Sequence, residues 1–520
     1  MVTTAAPKRK TRSRAVTGFT EDGQRYILRD LHLLERADAD LWNDHMFLQI
    51  DHRGRCEGWF TQPNISPYGG NLRSFYVRDD ESGTFWSAPY EPVQAEPESF
   101  EFNIGIGDLQ WRVVNDGIAV QLRLVVPRDE FAELWTVTVT NESDRPRTIS
   151  LYPYFPVESL APMSRKAGFE KALNGMVYQG VPYYVRYEDY FKSKKLRNFV
   201  YCASDTRPAA YELSQSAFTG WHGVHNPQQL HQPRLGKGDA RHEAIAAIFQ
   251  YTYTLAPGES ATVNLLFAPA YDRQDMARMK QKYLVKGGIE RALKQVYAFH
   301  KAHAPAVRIE TPDVEFNHYI NHWLPNRTLV CGRALRFNLD ACARNLIQDC
   351  MGILYNDRES ARAWLVRAWS FQNKDGWLPH GLRVDPDATV SPINTIPHKD
   401  MNAWGAPVLH AYLGETGDFA ILDEPIPFAD DPAPVSLYEH INRGIDWLLN
   451  DRTERGLSRI GQGDWNDPLN MAGLEDKGES VWLSEALVYS LDQWAEVAEY
   501  RGDTKRAQRY RQEADACRQA

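Results

Sequence analysis

The sequence predicts a β-then-α chain: a large antiparallel β-sandwich, a short helical linker, and an α/α toroid that stays incomplete. Three observations carry that prediction. Apolar residues alternate with a period of two up to about Tyr271 and switch to helical spacing from Asp272. Two later helical stretches close on the same pair, Gly417-Asp418 and Gly502-Asp503, as stacked helix pairs do.

The β part is expected over 17–271. Trp135, Val137 and Val139 alternate with Thr136, Thr138 and Thr140, which puts one face in a core. After the turn-rich Asn141–Arg147, the run Ile149–Phe155 resumes. Phe249–Leu255 and Ala261–Phe267 are joined by Ala256-Pro257-Gly258-Glu259-Ser260, where Pro and then Gly suit a type II turn. The linker is expected over 272–304. Met276, Met279 and Tyr283 share a helical face, Gly287-Gly288 interrupts it, and Ile289, Leu293 and Val296 continue it. From 305 to 520 the helices come in pairs: Glu359–Ser370, broken by Asp375–Gly381, then Ala406–Thr416, Leu437–Asn450 and Ser480–Arg501. About seven helices follow Pro305, where a closed double ring needs about twelve, and Ala520 falls inside a helical pattern without a Gly or Pro stop. The toroid is therefore expected to be C-terminally truncated in this chain.

The bulk figures exclude several functions. At 520 residues the chain is long enough for two or three domains. A net charge of −9 argues against nucleic acid as a partner. No apolar run approaches the ~20 residues of a membrane span. Met1–Val16 carries Lys8, Arg9, Lys10, Arg12 and Arg14 with no apolar stretch behind them, so it reads as a disordered basic tail and not a signal peptide. The six cysteines show no CxxC or ladder spacing, which argues against a zinc site or a disulfide scaffold and fits a reducing cytoplasm. Fifteen Trp and 25 Tyr suit sugar stacking or simple helix packing equally well.

Chemistry concentrates in Gly461-Gln462-Gly463-Asp464-Trp465-Asn466-Asp467-Pro468, where glycines and a proline rule out a helix and leave a loop bearing two carboxylates, an indole and an amide. Taken alone it reads equally well as an Asx-capped turn. Upstream lie Arg333, Arg336, Arg344 and Asp349. Arg344 and Asp349 are five apart, taken here as sharing one side of a helix, and arginine suits phosphate or sugar hydroxyls as well as a structural ion pair. A third cluster, Ile396–Gly405, holds His398, Lys399, Asp400 and Trp404. HExxH, GxSxG, P-loop and dinucleotide fingerprints are all absent, and no metal is expected.

Gly463-Asp464-Trp465-Asn466-Asp467, followed by Gly478-Glu479-Ser480-Val481-Trp482-Leu483, resembles the signature of the family-94 glycoside phosphorylases. Arg344-Asn345-Leu346-Ile347-Gln348-Asp349 is similar to that family's Arg-x-x-x-Gln-Asp segment, and the order of parts is similar too: sandwich, linker, (α/α)6 barrel. Leu41–Asp44, Ser87–Pro92, Leu151–Phe155 and Pro397–Trp404 resemble most the members acting on cellobionic acid. The resemblance implies Asp467 as general acid, with Trp465, Arg344 and Asp349 around the glucosyl ring and Asp464 and His398 as further sugar contacts. It implies Arg333 on phosphate, which is a co-substrate and the sole addition, with no cofactor. It further implies a homodimer, and phosphate- and aglycone-binding groups in a second half of the barrel outside these residues.

The implied reaction is cellobionic acid plus phosphate giving α-glucose 1-phosphate and gluconate, with inversion. An inverting hydrolase needs a second carboxylate to activate water, whereas phosphate arrives already nucleophilic, so one acid suffices. That acid must hold its proton near the working pH, by an apolar wall or a nearby anion. Cellobiose as substrate, a phosphate-independent hydrolase and a non-catalytic sugar-binding fragment are the rival readings.

Overall fold

The computed structural model describes residues 17–520 apart from 63, 158–165, 181–196, 306, 335–340, 383–397 and 470–471. The basic tail expected over 1–16, Arg336 and Ile396-Pro397 lie outside the described residues. Up to Ala270 the described chain is built from antiparallel strands. An 11-stranded sheet faces a 5-stranded one, and a 4-stranded meander over 38–67 packs beside them. The strand Glu133–Asn141 shows why: Trp135, Val137 and Val139 are buried, and the threonines between them are half-buried. These residues register against Leu124, Leu122 and Val120 on one side and Leu265, Val263 and Ala261 on the other. Trp111, Trp135, Phe75, Phe155 and Phe267 fill the space between the sheets. Period-two burial on both sheets is what drives the sandwich together.

The turn at Ala256–Glu259 forms as its sequence demands, with Gly258 at φ +78 and the Glu259 N–H donating to the Ala256 carbonyl at 2.9 Å. It joins two sheets and is no hairpin: Ile245–Leu255 pairs with Arg147–Val157, while Ser260–Ala270 pairs with Glu133–Asn141.

Two helices follow, α1 (Arg273–Tyr283) and α2 (Gly288–Ala302). Asp272 caps the first, and Gly287 in a left-handed conformation separates them. Met276, Met279, Tyr283, Ile289, Ala292 and Val296 lay one apolar face over Val125, Leu134, Leu266 and Ala268 of the large sheet. The remainder is helical: α3 (Leu324–Ala334), α4 (Ala343–Ile353), α5 (Arg358–Trp369), α6 (Gly405–Thr416), α7 (Leu437–Asn450), α8 (Val481–Tyr500) and α9 (Thr504–Gln519). They pack in the manner of an (α/α)6 barrel around Trp369, Trp494, Leu365, Ile445 and Leu487. Gly417 (φ +66) and Gly502 (φ +78) end α6 and α8, and Asp503 then caps α9 through the Arg506 N–H. No helix among the described residues is long and apolar enough to cross a membrane.

An ionic junction ties sandwich to barrel. Asp44, on a turn between sandwich strands, accepts from Arg128 at 2.9 Å and from Arg333 of α3 at 3.0 and 2.7 Å. Arg333 also reaches Asp357, the cap of α5, and Ser360. Burial pushes the Asp44 carboxyl up, but the hydrogen bonds and charges of Arg333 and Arg128 outweigh it and hold it below the usual range. Asp44→Ala leaves two guanidiniums facing each other and is expected to cost roughly 1.5–3 kcal/mol, the scale of a charged hydrogen bond lost in a partly buried site. Thermal unfolding reads this as a lowered midpoint, and an unchanged midpoint would show the junction to be ornamental.

Candidate active site

Four segments converge beneath the barrel helices: the start of α4, the loop 377–380, the turn 398–404 and the loop 461–467. Backbone bonds knit them. The Ala343 N–H donates to the His380 carbonyl at 2.7 Å, and the Lys399 N–H donates to the Gly463 carbonyl at 3.1 Å. Glycines sit where the loops touch. Gly461 has φ +56, and a Cβ on it would lie 2.5 Å from Lys399 Cε. A Cβ on Gly463 would lie 3.1 Å from His398 Nε2.

Arg344, buried at the second position of α4, is the hub. Its Nη1 donates to both oxygens of Asp400 (3.3 and 3.2 Å) and to the Asp464 carbonyl (3.2 Å), while Nη2 donates to Asp467 Oδ1 at 2.6 Å. Asp400 is fully buried and also accepts from Trp404 Nε1 at 3.1 Å. Burial raises its carboxyl above the ordinary range despite the opposing Arg344 charge. Asp467 opens a single 3-10 turn, and its side chain is 62% exposed. Of the carboxylates bonded to Arg344, it alone faces solvent.

Asp464 is turned inward. Its oxygens accept from the Asn466 N–H at 2.8 Å and from the Ser480 hydroxyl, and Ser480 in turn caps α8 through the Leu483 N–H at 2.9 Å. Asp464 thus fixes the loop that presents Asp467. His398, 6% exposed, has its Nδ1 3.7 Å from Asp467 Oδ1. His380 meets the His398 ring edge-on, centroids 4.4 Å apart, and burial, with His398 and Arg344 adding, pushes its pKa down to about 4. Trp465, 49% exposed, stacks on Trp482 at 5.7 Å, and Trp404 backs Trp482 at 6.1 Å. The half-exposed Trp465 indole thus lies in the same loop as the solvent-facing Asp467.

The structure therefore brings Asp467, Arg344, Asp464, His398 and Trp465 together. One expectation, of helix geometry, needs correction. Asp349 lies on α4 with Arg344, but five residues at about 100° each place it about 140° round the helix, so the pair does not share one side. Arg333 is engaged at the junction with Asp44 and Asp357. His380 was missed. It falls in a helix-breaking loop, Trp377-Leu378-Pro379-His380-Gly381, and that setting was the only signal available.

Comparison with known proteins matches two family models along the chain. Residues 41–286 match the glycosyl hydrolase 94 supersandwich domain, and residues 299–520 match the glycosyl hydrolase 94 superfamily catalytic domain. A cellobionic acid phosphorylase of Neurospora crassa is 37% identical over 96% of this chain and 66% of its own length. A 3-O-beta-D-glucopyranosyl-beta-D-glucuronide phosphorylase of Paenibacillus borealis is 28% identical over 96% of this chain and 64% of its own. The chain thus spans just under two thirds of the relatives it matches. Among solved structures, a bacterial glucoamylase complexed with acarbose superposes with a TM-score of 0.57 at 10% identity, covering 95% of this chain and 70% of that one.

Proposed function

Because the chain belongs to the glycosyl hydrolase 94 family, we propose that it phosphorolyses a β-glucoside, with Asp467 as the general acid and inorganic phosphate as the direct nucleophile. One observation carries this reading. Of the three aspartates gathered at Arg344, Asp400 and Asp464 are buried and committed to protein hydrogen bonds, and Asp467 alone faces solvent. An inverting hydrolase places a second available carboxylate across the sugar to activate water, roughly 6.5–9.5 Å away. An anionic nucleophile has no such need, and a second carboxylate would repel it. Asp467 donates its proton to the departing oxygen as phosphate attacks the opposite face of the anomeric carbon, giving α-glucose 1-phosphate. Arg344 holds the acid, and Trp465 supports the ring.

For the aglycone we propose gluconate, so that the substrate is cellobionic acid. Support comes from the Neurospora crassa relative, and from a second relative whose named substrate also carries a sugar acid. Six cysteines scattered without CxxC or ladder spacing are consistent with a cytoplasmic setting.

The test runs the reaction backwards. The purified chain is incubated with α-glucose 1-phosphate and either gluconate or glucose, and phosphate release is followed. Gluconate-dependent release supports the reading in full, and glucose-dependent release moves the aglycone to cellobiose. Glucose liberated from cellobionic acid without phosphate would overturn phosphorolysis in favour of hydrolysis. Silence with every acceptor would favour a non-catalytic sugar-binding role for this chain.

A further inference from the structure

Two contacts fall on the same atom of the acid. Arg344 Nη2 donates to Asp467 Oδ1 at 2.6 Å, and His398 Nδ1 stands 3.7 Å from that same oxygen. Among the described residues no hydrogen bond reaches Oδ2. His398 Nδ1 is buried with no other partner among the described residues, and so is Nδ1 of His380, whose ring is set perpendicular against it. A buried polar nitrogen left unpaired costs free energy, so its persistence beside a reactive carboxyl calls for an occupant. The acid's Oδ1, 3.7 Å away, is an acceptor within its reach. Catalytic hydrogen bonds are often long without substrate and tighten when it binds.

We infer that His398, braced edge-on by His380, is a positioning residue for the acid: as the Nδ1–H tautomer it closes on Asp467 Oδ1 when substrate binds, leaving Oδ2 as the oxygen that carries the proton to the leaving group. This deepens the reading of Asp467 as general acid and rests on it. The geometry explains both neighbours of the ring. On one side Gly463 leaves room for it, since a Cβ there would crowd Nε2 and Cδ2 at 3.1 and 3.2 Å. On the other, the His380 ring stands perpendicular to it with centroids 4.4 Å apart. Depressed protonation of His380 keeps this partner neutral, so that it does not repel the proton on His398.

Two substitutions separate the nitrogens. His398→Asn places an amide N–H where Nδ1 was, whereas His398→Gln reaches toward the position of Nε2. With cellobionic acid and phosphate, H398N is expected to keep kcat within about threefold, and H398Q to lose about 10–100-fold in kcat with KM nearly unchanged, as misplacement of an acid would produce. With 2,4-dinitrophenyl β-glucoside, whose leaving group needs no proton, the H398Q loss is expected to vanish. Equal activity of H398Q and the parent chain, or a loss that persists on the activated substrate, overturns the inference. A parent chain inert on both substrates sinks the proposed activity of this chain and not the placement of His398. The ring is then read without turnover, from long-range ¹H–¹⁵N spectra of the histidines. An Nδ1–H tautomer of His398 that shifts in Asp467→Asn supports the inference, and an Nε2–H tautomer indifferent to that change overturns it.

Discussion

Asp467→Asn is expected to slow phosphorolysis of the native β-glucoside by about 10²–10⁴-fold, the contribution of a positioned proton donor. The amide keeps an oxygen for Arg344 Nη2 and removes the transferable proton. Because the Asp467 side chain is 62% exposed, the fold has little at stake, and the unfolding midpoint should move by no more than a surface ion pair allows. A large activity loss with an unchanged midpoint is therefore the signature sought. Near-normal turnover in D467N would remove this residue from the chemistry and with it the present mechanism.

Arg344→Ala is expected to be the most destructive single change in the barrel. It removes the cation from Asp400, which has no exposure to water and keeps only the Trp404 indole N–H of its side-chain partners. Removing one partner of a buried pair costs about 3–5 kcal/mol, since the charge left behind is uncompensated. The sign with pH follows from Asp400. Its folded pKa already lies above the ordinary carboxylate value, so its contribution favours folding at low pH and is lost as pH rises through the folded value. Deleting Arg344 drives that pKa higher and widens the window. The midpoint gap between R344A and the parent chain should therefore be large at pH 7.5 and shrink toward pH 4.5, where the carboxyl takes up a proton. A gap that is small, or independent of pH, would show that Asp400 does not depend on Arg344. Arg344→Lys should not rescue turnover, because a point charge does not hold Asp400, the Asp464 carbonyl and Asp467 at once.

How much of this was legible in the sequence depends on the range of the interaction involved. The strand at Trp135–Thr140 and the linker face at Met276–Tyr283 are written in local periodicity, and both form where the pattern puts them. The Ala256–Ser260 turn was readable as a turn, but what it joins was not, since the pairing of Ser260–Ala270 is decided by Glu133–Asn141 more than a hundred residues earlier. In the site, Asp467 was reached through a contiguous motif. Asp464 sits in the same motif, yet its work is set by Ser480, brought back to it by the start of α8. The junction at Arg333 was not legible locally because its carboxylates, Asp44 and Asp357, come from the sandwich and from the next helix. His380 and His398 meet ring to ring only because Ala343 and Gly463 anchor their loops by backbone bonds.

The most direct test of the central claim is the anomer formed. Cellobionic acid is incubated with the chain and inorganic phosphate, and the products are followed by ³¹P and ¹H NMR before mutarotation or hydrolysis intervenes. A single acid serving an external anion on the far face of the ring predicts α-glucose 1-phosphate as the first product, one per gluconate released. β-Glucose 1-phosphate, or free glucose formed without uptake of phosphate, would contradict it.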